Sequence, residues 1–111
     1  MAFDEALAAR VRAALGIRRR LEEKRMFGGL AFLHRGHMAC GIVGDELMVR
    51  VGPDGYEAAL ERAGARPMDF TGRPMKGMVF VDRTGCRTAA QLERWLGEAI
   101  AFADSLPAKR R

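Results

Sequence analysis

Arg25-Met26-Phe27-Gly28-Gly29-Leu30-Ala31-Phe32-Leu33-His34-Arg35-Gly36-His37-Met38-Ala39-Cys40-Gly41-Ile42-Val43-Gly44-Asp45-Glu46-Leu47-Met48-Val49-Arg50-Val51 decides the fold, because its apolar residues alternate instead of recurring at helical spacing. Arg35-Gly36 and Gly44-Asp45 each suit a two-residue hairpin turn, so the stretch reads as a β-meander. Those turns fix a register: His34 opposes His37, Leu33 opposes Met38, Ala31 opposes Cys40, Cys40 opposes Val49 and Ile42 opposes Leu47. One face then carries Ala31, Leu33, Met38, Cys40, Ile42, Leu47, Val49 and Val51, all apolar, and is assigned to the core. The opposite face carries Leu30, Phe32, His34, His37, Ala39, Gly41, Val43, Glu46, Met48 and Arg50. That face is greasy enough around Leu30, Phe32, Val43 and Met48 to bury against another chain, a second copy included. A glutamate at Phe32 is accordingly expected to break such a dimer without unfolding the monomer.

Helical signals flank the meander. Phe3, Leu7, Val11, Ala14 and Leu15 form an amphipathic stripe closed by Gly16, and Ile17 to Lys24 reads as a charged connection. Pro53-Asp54-Gly55-Tyr56-Glu57 opens a second helix, with Asp54 and Glu57 spaced as a capping box and Tyr56, Ala59, Leu60 and Ala63 facing inward. Met78-Val79-Phe80-Val81 reads as a further strand, ending in the turn Asp82-Arg83-Thr84-Gly85. The last helix starts at Thr88, whose partner Gln91 completes a capping box. Its stripe is Leu92, Trp95, Leu96, Ala99, Phe102, Ala103 and Leu106, and Pro107 ends it. The order α-β-β-β-α-β-α predicts an α+β, two-layer fold, an antiparallel sheet of about four or five strands covered by helices.

With 111 residues, 49% of them apolar and 30% charged, the chain has room for one domain around one core. The expected ordered part is residues 3–106, followed by a basic tail, 107–111. No apolar run is long enough to cross a bilayer and the start lacks the pattern of a signal peptide, so a cytoplasmic protein without membrane contact is expected. Cys40 and Cys86 stand apart and are expected to remain thiols.

The formal charge of +5 is concentrated near the ends. Residues 10–25 hold seven cations against two anions, and Lys109-Arg110-Arg111 adds more. Arg18, Arg19, Arg20, Lys24 and Arg25 therefore form a candidate nucleic-acid contact through phosphates. Arg73 and Lys76, flanked by glycines, are candidates for meeting an acidic partner.

His34-x-x-His37-x-x-Cys40 has metal-ligand residue types, yet the register turns Cys40 away from both histidines, whereas zinc needs three or four converging ligands. No metal site and no cofactor are expected. Cys86, in a turn beside Arg83 and Arg87, reads as a surface thiol with no histidine nearby in sequence to activate it. The glycine pairs match no phosphate-loop pattern. Met68, Met75 and Met78 read as adaptable core filling.

Met26-Phe27-Gly28-Gly29, the Gly36 hairpin followed by Met38-Ala39, Leu47-Met48-Val49-Arg50-Val51, Arg66-Pro67-Met68, Gly72-Arg73-Pro74-Met75 and the Leu92 to Ala99 helix occur here in one order. That combination, over residues 5–107, resembles the N-terminal domain of the TfoX/Sxy family, regulators of bacterial natural competence. The resemblance implies a two-layer α+β fold similar in outline to secretion chaperones. It also implies a non-enzymatic regulatory or adaptor domain acting through protein contacts in transcriptional regulation, with no catalytic residues to carry over. The competence regulators have a second, C-terminal domain, and a stand-alone first domain is the expectation here. A nucleic-acid-binding accessory protein using the basic segments is the alternative.

Overall fold

A computed structural model describes residues 3–16, 21–26, 28–67 and 77–106. Its elements in chain order are α1 (Glu5–Leu15), β1 (Leu21–Met26), β2 (Gly29–His34), β3 (His37–Val43), β4 (Glu46–Arg50), α2 (Tyr56–Leu60), β5 (Ala65–Pro67), β6 (Met78–Val81), a 3-10 turn (Arg83–Gly85) and α3 (Ala89–Asp104). The strands form one antiparallel sheet in the order β1-β2-β3-β4-β6-β5. The α+β architecture is the expected one, with six strands because the pattern of the sequence left two unseen. β1 takes up Leu21 to Lys24 of the charged connection read over Ile17 to Lys24, and β5 lies in what reads as loop. Both are edge strands, where solvent on several sides removes the alternation that marks a buried strand, and Pro67 is tolerated because an edge residue need not donate to the ladder.

The two hairpin turns form where expected. Arg35 and Gly36 both have positive φ (56° and 85°), the geometry of a type I′ turn that matches the twist of its strands. Leu33 opposes Met38, and beyond the second turn Cys40 opposes Val49 and Ile42 opposes Leu47.

Between these agreements lies a correction. Phe32, not Ala31, opposes Cys40, and Leu30 opposes Ile42, so Ala39 is an unpaired bulge residue. One extra residue in β3 shifts the first half of β2 by one position, and period-two geometry then exchanges its faces. Opposed residues share a face, so Leu30 and Phe32 point to the helices with Cys40, Ile42, Leu47 and Val49, while Ala31 and Leu33 point away. Leu30 and Phe32, expected on the outer face, are buried in the main core. They present no surface to another chain.

The core joins this inner face to α1 and α3. Leu7, Ala8, Val11 and Leu15 come from α1, and Leu92, Trp95, Leu96, Ala99, Ile100 and Ala103 from α3. Asp4 caps α1, its Oδ1 accepting from the backbone N–H groups of Ala6 and Leu7 at 2.9 and 3.2 Å. The same residue's N–H donates to the Gly44 carbonyl at 2.7 Å, tying the helix to the β3–β4 turn. Thr88 and Gln91 form the expected capping box on α3. The box expected of Asp54 and Glu57 is absent: Gly55 occupies the cap position of α2 without a side-chain bond.

On the other face of the sheet Met48, Met78 and Phe80 form a second buried cluster, with Met38 and Val43 packed against it. Met48 is opposite Phe80, and the Arg66 guanidinium lies 4.8 Å from the Phe80 ring centroid. Of the four residues read as an association face, Met48 is thus buried and Val43 half-buried. Gly41 lies among them because a Cβ there would come within 2.7 Å of the Leu30 carbonyl oxygen.

Candidate functional site

α1 begins with its cap held on the β3–β4 turn, and the 3-10 turn after β6 comes up beside it. The space between them is an open cleft of about 480 Å³ lined by Asp4, Ala6, Leu7, Arg10, Asp45, Arg83, Cys86 and Arg87. Arg10 closes one end: its Nη2 donates to the carbonyl oxygens of Cys86 and Arg87, both at 2.9 Å. A cation is well suited to this role because two backbone acceptors with no other strong donor are satisfied at once. Arg83 spans the opening, 3.8 Å from Asp4 Oδ2 and 3.8 Å from Asp45 Oδ2. At that length, and with its side chain 75% exposed, the guanidinium is loosely shared between the two carboxylates. The Arg87 side chain is exposed on the rim.

The wall of the cleft is set by Asp82 and Trp95. Asp82 accepts from the N–H and hydroxyl of Thr84 at 2.9 and 2.6 Å, which shapes the turn and holds its carboxyl below the usual range. Trp95 donates its Nε1–H to the Gly85 carbonyl at 3.0 Å from a fully buried position. On the far side of that indole the Arg62 guanidinium lies 3.5 Å from the ring centroid and pairs with Glu98.

Cys86 is buried, where the sequence suggests a surface thiol. Burial pushes its thiol up, the Arg10 charge offsetting part of this, and the Sγ donates to the Asp82 carbonyl at 3.4 Å. A thiol so placed stays protonated at neutral pH and is a poor nucleophile. Cys40, deeper still, is pushed up to about 12 by burial alone.

The β2–β3 hairpin tip carries a second polar group. His34 Nε2 is 2.7 Å from Asp104 Oδ1 at the end of α3, and Arg35 Nη1 donates to the Asp104 carbonyl at 3.1 Å. His34 therefore lies on the inner face, again because of the Ala39 bulge, and its Nδ1 is buried without a partner. Among the described residues no three of His, Cys, Asp and Glu converge as metal ligands would. The bond from His34, with the charges of His34 and Arg35, holds the Asp104 carboxyl below its usual range. A lowered carboxyl pKa adds stability that is full above the unfolded value, about pH 4, and is lost as pH falls through the folded one. His34→Ala is expected to return the Asp104 midpoint toward the ordinary value in a carbon-detected NMR titration; an unmoved midpoint would contradict the pairing.

The basic residues proposed for nucleic acid do not form one face where they are described. Lys24 and Arg25 are neighbours on β1, opposite Ala31 and Leu30, and so project to opposite sides of the sheet. Arg25 lies 5.7 Å from the Phe3 ring centroid on the helix side. Arg18, Arg19 and Arg20 lie outside the described residues, as do Arg73, Lys76, Met68, Met75 and the tail 107–111. No described helix is long and apolar enough to cross a membrane.

Sequence reasoning named Arg83, Arg87 and Cys86 but did not join them to Asp4, Arg10 and Asp45. The available signal was Asp4, a capping residue type one position before the helix begins at Glu5.

No curated protein and no solved structure matches the chain significantly. The family model of the TfoX N-terminal domain matches residues 13–103, most of the 111. It takes in the bulged meander, the 3-10 turn of the cleft wall and nearly all of α3, and the chain belongs to the TfoX N-terminal domain family.

Proposed function

We propose that this chain is a non-enzymatic regulatory domain that acts through protein contacts, in the transcriptional setting to which the competence-regulator resemblance points. The reading rests on family membership and on one observation, the open cleft at the start of α1. Its exposed Arg83 and Arg87 share the lining with Ala6, Leu7, Asp4 and Asp45, and its one thiol is held in the unreactive form. Arginine beside apolar side chains is a composition found at protein-binding surfaces. The segment that fits it carries carboxylates to either side of an apolar side chain, the first meeting Arg83 and Arg87 and the second covering Leu7.

The test compares capture from the native cell by the wild type and by an Arg83→Ala/Arg87→Ala variant. Both arginines are exposed and make at most weak ion pairs, so the variant should melt as the wild type does. The expected result is a captured protein whose affinity falls at least about tenfold in the variant. Equal capture by both proteins, or turnover of a substrate at the cleft, would contradict the proposal.

A further inference from the structure

β1 is one end of the sheet, so among the described residues one side of its backbone is an open edge. Such an edge recruits other strands unless its side chains prevent it. Glu22, Glu23, Lys24 and Arg25 are all exposed, and the register divides them between the faces. Glu23 and Arg25, opposite Phe32 and Leu30, are on the helix side. There Glu23 accepts two bonds from Arg12 at 2.7 and 2.8 Å, and Arg25 covers Phe3. Glu22 and Lys24, opposite Leu33 and Ala31, are on the outer face.

We propose that a second copy of this chain adds its β1 antiparallel to this edge, around a two-fold axis normal to the sheet and centred on Glu23. Such an axis keeps the helices of both copies on the same side, so only residues of like parity can oppose each other. Two registers satisfy this near the middle of β1. Centring on Lys24 sets Glu23 opposite Arg25 of the second copy on the helix side, where Arg12 already holds Glu23, and sets the Lys24 ammonium against its own copy on the outer face. Centring on Glu23 sets Glu22 opposite Lys24 of the second copy, and Lys24 opposite Glu22 of the second copy, giving two opposite-charge pairs on the outer face. The central glutamates meet on the helix side, where Arg12 neutralises each of them. An edge guarded by repulsion alone would carry one sign of charge. On its outer face this one carries Glu22 and then Lys24, the order that pairing centred on Glu23 requires.

The contact is short, smaller than the interfaces of permanent dimers, so association is concentration-dependent. Sedimentation of the full chain from roughly 10 µM to 1 mM reads it directly. The wild type should dimerise within that range, and Glu22→Lys and Lys24→Glu should each weaken self-association at least about tenfold. An equimolar mixture of the two variants should recover a dimer, since each reversed charge then faces its opposite. Amide exchange across β1 at low and high concentration reads the same contact without substitution and should slow as concentration rises. A wild type monomeric throughout, variants that dimerise like it, a mixture that stays monomeric, or β1 exchange indifferent to concentration would overturn the proposal.

Discussion

Phe32→Ala is expected to destabilise the domain by about 3–5 kcal/mol, while Leu33→Ala one residue on costs no more than about half as much. Phe32 is 1% exposed and packs with the inner face of the sheet; Leu33 is half-buried on the outer side. Set against a typical domain stability of about 5–15 kcal/mol, the first change consumes much of what holds the chain folded. Urea denaturation of both variants decides the order, and a larger loss for Leu33→Ala would contradict it. The same placement reverses the expectation for Phe32→Glu. A carboxylate there is carried into the core with no partner, so the domain unfolds instead of merely losing a surface contact.

Trp95→Ala is expected to cost about 3–5 kcal/mol from lost packing and to leave the Gly85 carbonyl without its donor, which adds about 1–3 kcal/mol. Trp95→Phe separates the two, retaining most of the packing and losing the bond. Thermal unfolding followed by circular dichroism measures both variants, because the wild type's one tryptophan is the residue removed. The effect reaches the cleft: Gly85 precedes Cys86 and Arg87, whose carbonyls are the anchor points of Arg10. A Trp95→Phe protein as stable as the wild type would show that the indole N–H does not hold this wall.

The sequence discloses the elements whose pattern is local. Arg35-Gly36 and Gly44-Asp45 specify their turns by backbone conformation, Thr88 with Gln91 specifies a helix start by reciprocal hydrogen bonds, and the α3 stripe follows from its period. The Ala39 bulge is hidden because Leu30, Ala31, Phe32 and Leu33 are all apolar, and alternation carries no information where neither face is polar. Side-chain size is a partial signal, since Leu30 and Phe32 share one parity and the smaller Ala31 shares the other with Leu33. β1 is hidden for the opposite reason: Glu22-Glu23-Lys24-Arg25 is charged on both faces.

The cleft was beyond local reading altogether. Asp4, Arg10, Asp45, Arg83 and Arg87 come from three distant parts of the chain, and the Asp4 to Gly44 bond, the Arg10 bonds to the Cys86 and Arg87 carbonyls and the turn after β6 bring them together. The interface assigned to Leu30 and Phe32 failed with the register. The edge proposed in its place rests on the position of β1 in the sheet and on its parity.

Cross-strand backbone NOEs along the β2–β3 hairpin test that parity at its source. Contacts of Phe32 with Cys40 and of Ala31 with Gly41, beside Leu33 with Met38, are the predicted result; contacts joining Ala31 to Cys40 would contradict it.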